Sequence, residues 1–473
     1  MNAHQKEGRL VGNSAGRPRF LTETERDLIR LANEPGFNRW LELIKSTGGC
    51  SHPIYLSGRT TTADHEGNLL RHYDTASEPL GRLPVRCRNR RESRCEPCSY
   101  LHSGDTFQLV RSGLLGGKGT PASVVEHPRL FVTLTAPSFG AVHRETDRTE
   151  QCRLTRDPGP CEHGRPRGCG LRHPADDSAI GQPLCRDCYA YTSHILWNAQ
   201  CGELWNRTTR AIRRHLATAA GITQSKIGDS LRLSFAKVAE YQRRGAIHLH
   251  AVIRLDGPDG PSTAPPPWAT AFVLERAVRA AVRAVEAPLR HVPALGDYVA
   301  RWGAQIDAHP IRDSAAVAGA LDDQAVAAYV AKYTSKSVGD SGGLDQPVTS
   351  DEEISLAPVS PHLRTLMATC WRLGGLVELL HLRLRPWTHT LGYRGHVLTK
   401  SRRYSTTYRA LRDARTANQQ TPDGDPSHSP EETETVSAWR YVGSGHTPGE
   451  SEIAAGLAQD HAERREIERT LRI

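Results

Sequence analysis

Leu231–Asp256 reads LRLSFAKVAEYQRRGAIHLHAVIRLD. Two apolar, β-prone runs flank Arg243-Arg244-Gly245, a turn signal. The stretch is therefore expected to form an antiparallel hairpin, with strands over Leu231–Tyr241 and Ala246–Leu255. Side chains alternate across a strand, so Ile247, Leu249, Ala251, Ile253 and Leu255 share one face and should enter the core. His248 and His250 share the other face, about 7 Å apart along the strand, where two imidazoles can converge on one cation. A third ligand should come from the partner strand. Glu240 and Gln242 lie two positions apart on one face, and Glu240 carries the charge that suits a hard divalent cation. Taken alone, a His-x-His pair is more often the polar face of an amphipathic strand.

Working outward, Leu130–Thr135 (LFVTLT) reads as a further strand, stopped by Pro137. Helical patterns cover 189–219, 269–288 and 322–337. The last contains DDQAVAAYVAKYTSK (322–336), whose acidic start suits a helix N-terminus. Tyr329 and Tyr333 fall four apart on one helix face, with Lys332 and Lys336 beside it, so Tyr-x-x-Lys occurs twice in overlap. A phenol with a pKa near ~10 is a weak nucleophile at neutral pH. Its attack on a phosphodiester needs a cation on the phosphoryl oxygen and a lysine for the developing charge. Tyrosines at this spacing often merely pack together.

The cysteines form two clusters. Cys87, Cys95 and Cys98, with Cys50 upstream, make one; Cys161, Cys169, Cys185 and Cys188 make the other, with His163 and His173 as alternative ligands. Paired Cys-x-x-Cys knuckles suit a closed tetrahedral sulfur site, so two structural zinc ions are expected. Cys152, Cys201 and Cys370 fit neither set and read as plain core or surface residues.

The chain has 473 residues and a formal charge of +9, most of it carried by arginine, the side chain that grips phosphate in two places. That balance favours a polyanion partner. No apolar run is long enough to cross a bilayer, and the N-terminus lacks the apolar core of a signal peptide. Free thiols without export signals point to a cytoplasmic protein that does not contact membranes. Gly113–Thr120 (GLLGGKGT) fails the spacing of a phosphate-binding nucleotide loop, so helicase activity is not expected. Residues 383–412 are dense in arginine, with Tyr393, Tyr404 and Tyr408 among them, a composition suited to phosphates and stacked bases. Arg394, Lys400, Arg402 and Arg403 are the expected DNA contacts. Residues 414–436 are poor in apolar side chains and read as disordered, and the last 20 residues as a charged helix.

Three segments in order, the Thr-containing strand Phe131–Thr135, then His248-Leu249-His250, then the Tyr-x-x-Lys helix, resemble the HUH endonucleases of rolling-circle replication. More closely, AEYQRRGAIHLHAVIRLDG (239–257), AAYVAKYTSK (327–336) and LGYRGHVLTKSRRYSTTYRALR (391–412) make the chain similar to the RepSA-like replication initiators of actinobacterial plasmids and integrative elements. The resemblance covers roughly 45–412. It implies an α+β fold: an HUH-type nicking domain with a central antiparallel, ferredoxin-like sheet and flanking helices, plus Cys-rich zinc modules. It implies that His248, His250 and Glu240 hold Mg2+ or Mn2+, that Tyr333 is the nucleophile with Lys336 beside it, and that Tyr329 with Lys332 is either a second nucleophile or a packing neighbour. The product would be a 5′-phosphotyrosine adduct at a single-stranded site in origin DNA, with a host helicase and polymerase as further partners. A conjugative relaxase of the same chemistry and a non-catalytic zinc-dependent DNA-binding regulator are the alternatives; in relaxases the tyrosine usually precedes the histidines.

The expected organisation is an N-terminal polar, helical segment (1–45), a first Cys-rich module (46–110), the nicking domain (111–345) with a zinc-binding insertion at 152–188, a basic DNA-contacting region (346–412), and a flexible linker with a C-terminal helix (413–473).

Overall fold

The computed structural model describes residues 21–147, 149–155, 159–311, 323–335, 343–420 and 433–471. In chain order these form α1 (Glu23–Ala32), α2 (Phe37–Ser46), β1 (Ile54–Asp64), β2 (Leu69–Asp74), β3 (Leu83–Val85), α3 (Glu96–Leu115), β4 (Arg129–Leu134), α4 (Tyr191–Ala219), β5 (Arg232–Tyr241), β6 (Ile247–Asp256), α5 (Ala271–Ala284), β7 (Glu286–Pro288), β8 (Val299–Arg301), β9 (Ile306–Pro310), α6 (Asp323–Ser335), α7 (Asp351–Leu356), α8 (Pro361–Leu373), β10 (Leu398–Lys400), α9 (Tyr408–Gln420), β11 (Thr433–Ser444) and α10 (Pro448–Leu471). The result is a mixed α/β architecture with antiparallel sheets. The chain divides into two compact units, one of Met1–Arg88, Arg94–Cys98 and Asp425–Ile473, the other of Asn89–Ser93 and Ser99–Gly424.

The larger unit is built on the 231–256 hairpin. Its strands pair from Arg232 opposite Asp256 to Tyr241 opposite Ile247. The turn closes through Gly245, whose φ of +83° and tight packing against Leu391 and Leu366 leave no room for a Cβ. Around it runs a five-stranded antiparallel sheet in the order β10-β5-β6-β4-β9. The odd-numbered face of β6 behaves as the alternation predicts. Ile247, Leu249, Ala251, Ile253 and Leu255 are buried with Trp197, Leu204 and Ile212 of α4 and Leu274 and Val278 of α5. The opposite face is covered too. There Phe131, Ala236, Val238 and Val252 meet Leu109, Val110 and Leu114 of α3 and Val326, Ala327 and Val330 of α6. The histidine face is thus a helix-roofed face, where a solvated polar one was the plain alternative.

In the smaller unit β11 lies along β1, which also pairs with β2 and β3. The helices α2 and α10 bury Trp40, Ile44 and Ala454 together. Part of this corrects the sequence reading. Residues 414–420 belong to α9 and 433–436 to β11, although the whole of 414–436 reads as disordered; 421–432 lie outside the described residues. The cause is physical: β11 is largely exposed and buries little apolar surface of its own, so its extended state comes from pairing with β1, which local composition does not reveal.

Candidate active site and metal centres

Period-two geometry brings Glu240 opposite His248 and sets His250 between Val238 and Thr133. One ligand atom from each of Glu240, His248 and His250 lies within 4.8 Å of the others. Glu240 Oε2 is 3.1 Å from His250 Nε2. Gln242, the other third-ligand candidate, accepts a hydrogen bond from Arg244 Nε at 2.9 Å.

The donor set fits a divalent cation by more than proximity. His248 Nε2 is buried without a hydrogen-bond partner, an arrangement that ordinarily costs about 1–3 kcal/mol. Burial, and next the neighbouring His250, push the His248 pKa down to about 3, which keeps the imidazole in its neutral, ligating form. His250 Nδ1 lies 3.1 Å from the Thr133 hydroxyl, which orients the ring and leaves Nε2 facing Glu240. The Phe131 ring stacks on His250 with centroids 6.0 Å apart.

The helix α6 carries both tyrosines to this point. The Tyr329 hydroxyl is 3.3 Å from His250 Nε2. The Tyr333 ring stacks against His250 with centroids 5.7 Å apart, and the two tyrosine rings lie 4.6 Å apart. Burial, and then the hydrogen bond with Tyr333, hold the Tyr329 phenol well above its ordinary pKa. Lys332 is exposed, its ammonium 6.0 Å from the Tyr333 ring centroid. Lys336 lies outside the described residues.

Residues without a place in the sequence reading fix that helix. Arg129 on β4 pairs with Asp323 in the first turn of α6 at 2.7 Å, with both side chains almost wholly buried. Arg90 donates to the Thr334 carbonyl in the last turn at 3.2 Å. An apolar strand that opens on an arginine was the one available signal for the first contact.

Among the described residues, three groups of four Cys and His side chains could hold metal. Cys50, Cys87, Cys95 and Cys98 meet as one, with Cys50 Sγ 3.8 Å from Cys95 Sγ and 3.6 Å from Cys98 Sγ. Four sulfurs about 2.3 Å from a zinc would stand about 3.8 Å apart. The second cluster differs from the expected quartet. Cys161, Cys185 and Cys188 come together with His163, and Cys169 does not join them. The reason is local. A tight turn, with Gly164 N bonded to the Cys161 carbonyl, swings His163 Nδ1 to 3.3 Å from Cys188 Sγ. Cys169 N instead bonds the Arg153 carbonyl, which draws Cys169 beside Cys152 in a third group with His143 and His173. Cys152 is therefore no plain core residue, whereas Cys201 and Cys370 are buried in apolar surroundings.

The basic block is more deeply built in than its composition suggests. Tyr393 and Tyr404 are buried in the core and cannot stack on bases, and the Tyr408 hydroxyl bonds Thr106 at 2.7 Å. Lys400 lies on β10, its ammonium donating to the Ser405 carbonyl at 3.0 Å. Arg394 donates to the His381 carbonyl and Arg403 to that of Asp259. Arg394, Arg402 and Arg403 are exposed.

The chain belongs to the RepSA family of replication initiators. That family's model, described as "Replication initiator protein, pSAM2", matches residues 36–459. The chain is 42% identical over 453 residues to a replication initiator protein of Streptomyces ambofaciens, covering 94% of each chain. No solved structure matches it. Among the described residues no helix is long and apolar enough to cross a membrane.

Proposed function

We propose that the chain starts rolling-circle replication by nicking and rejoining one strand of its origin through an HUH-type, metal-dependent tyrosine mechanism. The observation that carries this reading is the meeting of two imidazoles, a carboxylate and two helix-borne phenols on one roofed face of an antiparallel sheet. His248, His250 and Glu240 would hold Mg2+ or Mn2+, which when bound supplies Lewis-acid polarisation of the scissile phosphate. Tyr333 is the nucleophile. Its Oη–P bond forms as the P–O3′ bond breaks, and the proton lost by the phenol is matched by one gained at the 3′-oxygen. The adduct is a 5′-phosphotyrosine, and the free 3′-hydroxyl is available to a host polymerase, with a host helicase opening the duplex ahead. Tyr329, whose hydroxyl faces His250 Nε2, orients Tyr333. Lys332 and Lys336 offset charge on the phosphate. Arg394, Arg402 and Arg403 contact flanking DNA, and zinc fills the Cys50 and Cys161 groups as structural ions.

The test is direct. Single-stranded oligonucleotides that tile the parent replicon, labelled at the 3′ end, are incubated with protein and Mn2+ or Mg2+. One oligonucleotide should give an SDS-resistant labelled adduct. Binding without any adduct would leave a non-catalytic DNA-binding regulator. The Thr133 contact gives a second expected result. Thr133→Val removes the group that orients His250 and should weaken Mn2+ binding by about 10–100-fold, as loss of such outer partners does; calorimetric titration checks it.

A further inference from the structure

We propose that His143, Cys152, Cys169 and His173 hold a third zinc ion, and that this ion sets the arginine wall of a groove that leads single-stranded DNA to the His248–His250–Glu240 face. The second half rests on the nicking reading above; the first does not.

Four observations carry the metal. The donor atoms converge: His143 Nδ1 is 3.0 Å from His173 Nε2, Cys169 Sγ is 3.4 Å from the same nitrogen, and Cys152 Sγ is 4.0 Å from His143 Nδ1. Two sulfurs and two imidazole nitrogens are a zinc donor set. His173 turns its other nitrogen, Nδ1, to Asp177 Oδ2 at 2.7 Å, and that carboxylate is itself fixed by Ala179 N at 2.8 Å. A carboxylate behind a ligating imidazole is the usual outer partner of such an ion. Finally, the segment has almost no other interior. Among the described residues from 141 to 185, the buried side chains are Cys152, Cys169, His173, Pro183 and Cys185. A segment this poor in apolar interior needs staples, and among its described side chains this group and the Cys161 group are placed to supply them.

The groove follows from where these ligands stand. A cavity of about 570 Å3 is lined by Thr135, Arg144, Arg153, Gln242, Arg243 and Arg244, with Glu145 also on its wall. Thr135 and Gln242 lie just past the ends of β4 and β5 that carry Thr133 and Glu240, so the cavity adjoins the end of the sheet that bears the triad. Each arginine of the outer wall directly follows a ligand in sequence: His143-Arg144 and Cys152-Arg153. The coupling is also by hydrogen bond. Arg144 N donates to Cys152 Sγ at 3.4 Å, and Arg153 Nε donates to the Val142 carbonyl at 3.1 Å. The opposite wall is the hairpin turn, held to the insertion by Arg243, which donates to the Ala175 carbonyl, and by Gly181, where a Cβ would lie 2.6 Å from the Arg243 backbone. Guanidinium forks on two walls suit a chain of phosphates.

Elemental analysis of the purified full chain tests the first half. Three tightly held zinc ions are expected, and two or fewer would overturn the site. His173→Ala should lose one of the three and retain the others; an unchanged count would also overturn it. Should that variant fail to fold, the count on the unaltered chain still decides. The second half is read as single-strand affinity by fluorescence anisotropy in the Tyr333→Phe background, where no cleavage is needed. Arg144→Ala with Arg153→Ala should weaken binding about tenfold and lower the salt slope by about 0.7 for each lost phosphate contact. Unaltered affinity and slope would refute the groove while leaving both the zinc site and the nicking reading standing.

Discussion

Tyr333→Phe is expected to eliminate the covalent adduct and to lower nicking at least about a thousandfold, because loss of a nucleophile removes a whole catalytic unit. DNA binding should be unchanged. The substitution deletes one oxygen and keeps a ring that stacks on His250 and on Tyr329. Tyr329→Phe should behave differently. Its hydroxyl faces His250 Nε2 and its phenol is held strongly protonated by burial, so its loss should loosen the site and slow nicking about 10–100-fold while the adduct still forms. The two single variants, assayed on one oligonucleotide with saturating Mn2+, separate the roles. An inert Tyr329→Phe beside an active Tyr333→Phe would exchange the two assignments. Adducts in both single variants and none in the double would make each tyrosine a competent nucleophile.

The strands and helices around the site were legible because their periods were strong. The alternation at Ile247–Leu255 and the four-residue tyrosine spacing each place their side chains on one face, and the structure uses both faces as expected. Less legible was anything set by chain reversal over a long loop. The seven-residue spacing from Cys161 to Cys169 looks like part of one quartet, yet a turn at Gly164 sends His163 there instead. His143 gave no signal, because it stands nine residues before Cys152 and belongs to no knuckle. Aromatics in an arginine-rich run looked like stacking platforms. Tyr404 is instead buried against α3, its hydroxyl on the Val110 carbonyl at 3.2 Å, which composition cannot distinguish from exposure. Buried charge was the least visible: Arg254 and Asp256 end a strand in sequence, and only the fold shows both wholly enclosed.

That enclosed pair carries the largest expected effect on stability. Asp256 receives Arg254 Nε at 2.6 Å and its terminal nitrogen at 3.0 Å, the Ser234 hydroxyl at 2.6 Å, and faces His127 Nδ1 at 2.8 Å. Arg254 in turn donates to the carbonyls of Gly113 and Tyr404. One ion pair thus ties β5, β6, the end of α3 and the loop after β10. Asp256→Ala strands a buried guanidinium and should cost about 3–5 kcal/mol, a large fraction of the ~5–15 kcal/mol that holds a typical domain together. Replacing both partners, Arg254→Met with Asp256→Leu, should cost much less, because no uncompensated charge remains. Urea unfolding of the three proteins checks this, and a double variant as unstable as Asp256→Ala would show that the pair contributes more than mutual neutralisation. The pH dependence has a definite sign. Burial opposes ionisation of Asp256, but the His127 and Arg254 bonds outweigh it and hold the carboxyl below its ordinary value of 3.8. Its stabilising contribution is therefore complete above that value and is lost as pH falls through the lower folded one. The gap between the parent chain and Asp256→Ala should be widest near neutrality and should narrow once the pH drops below about 4.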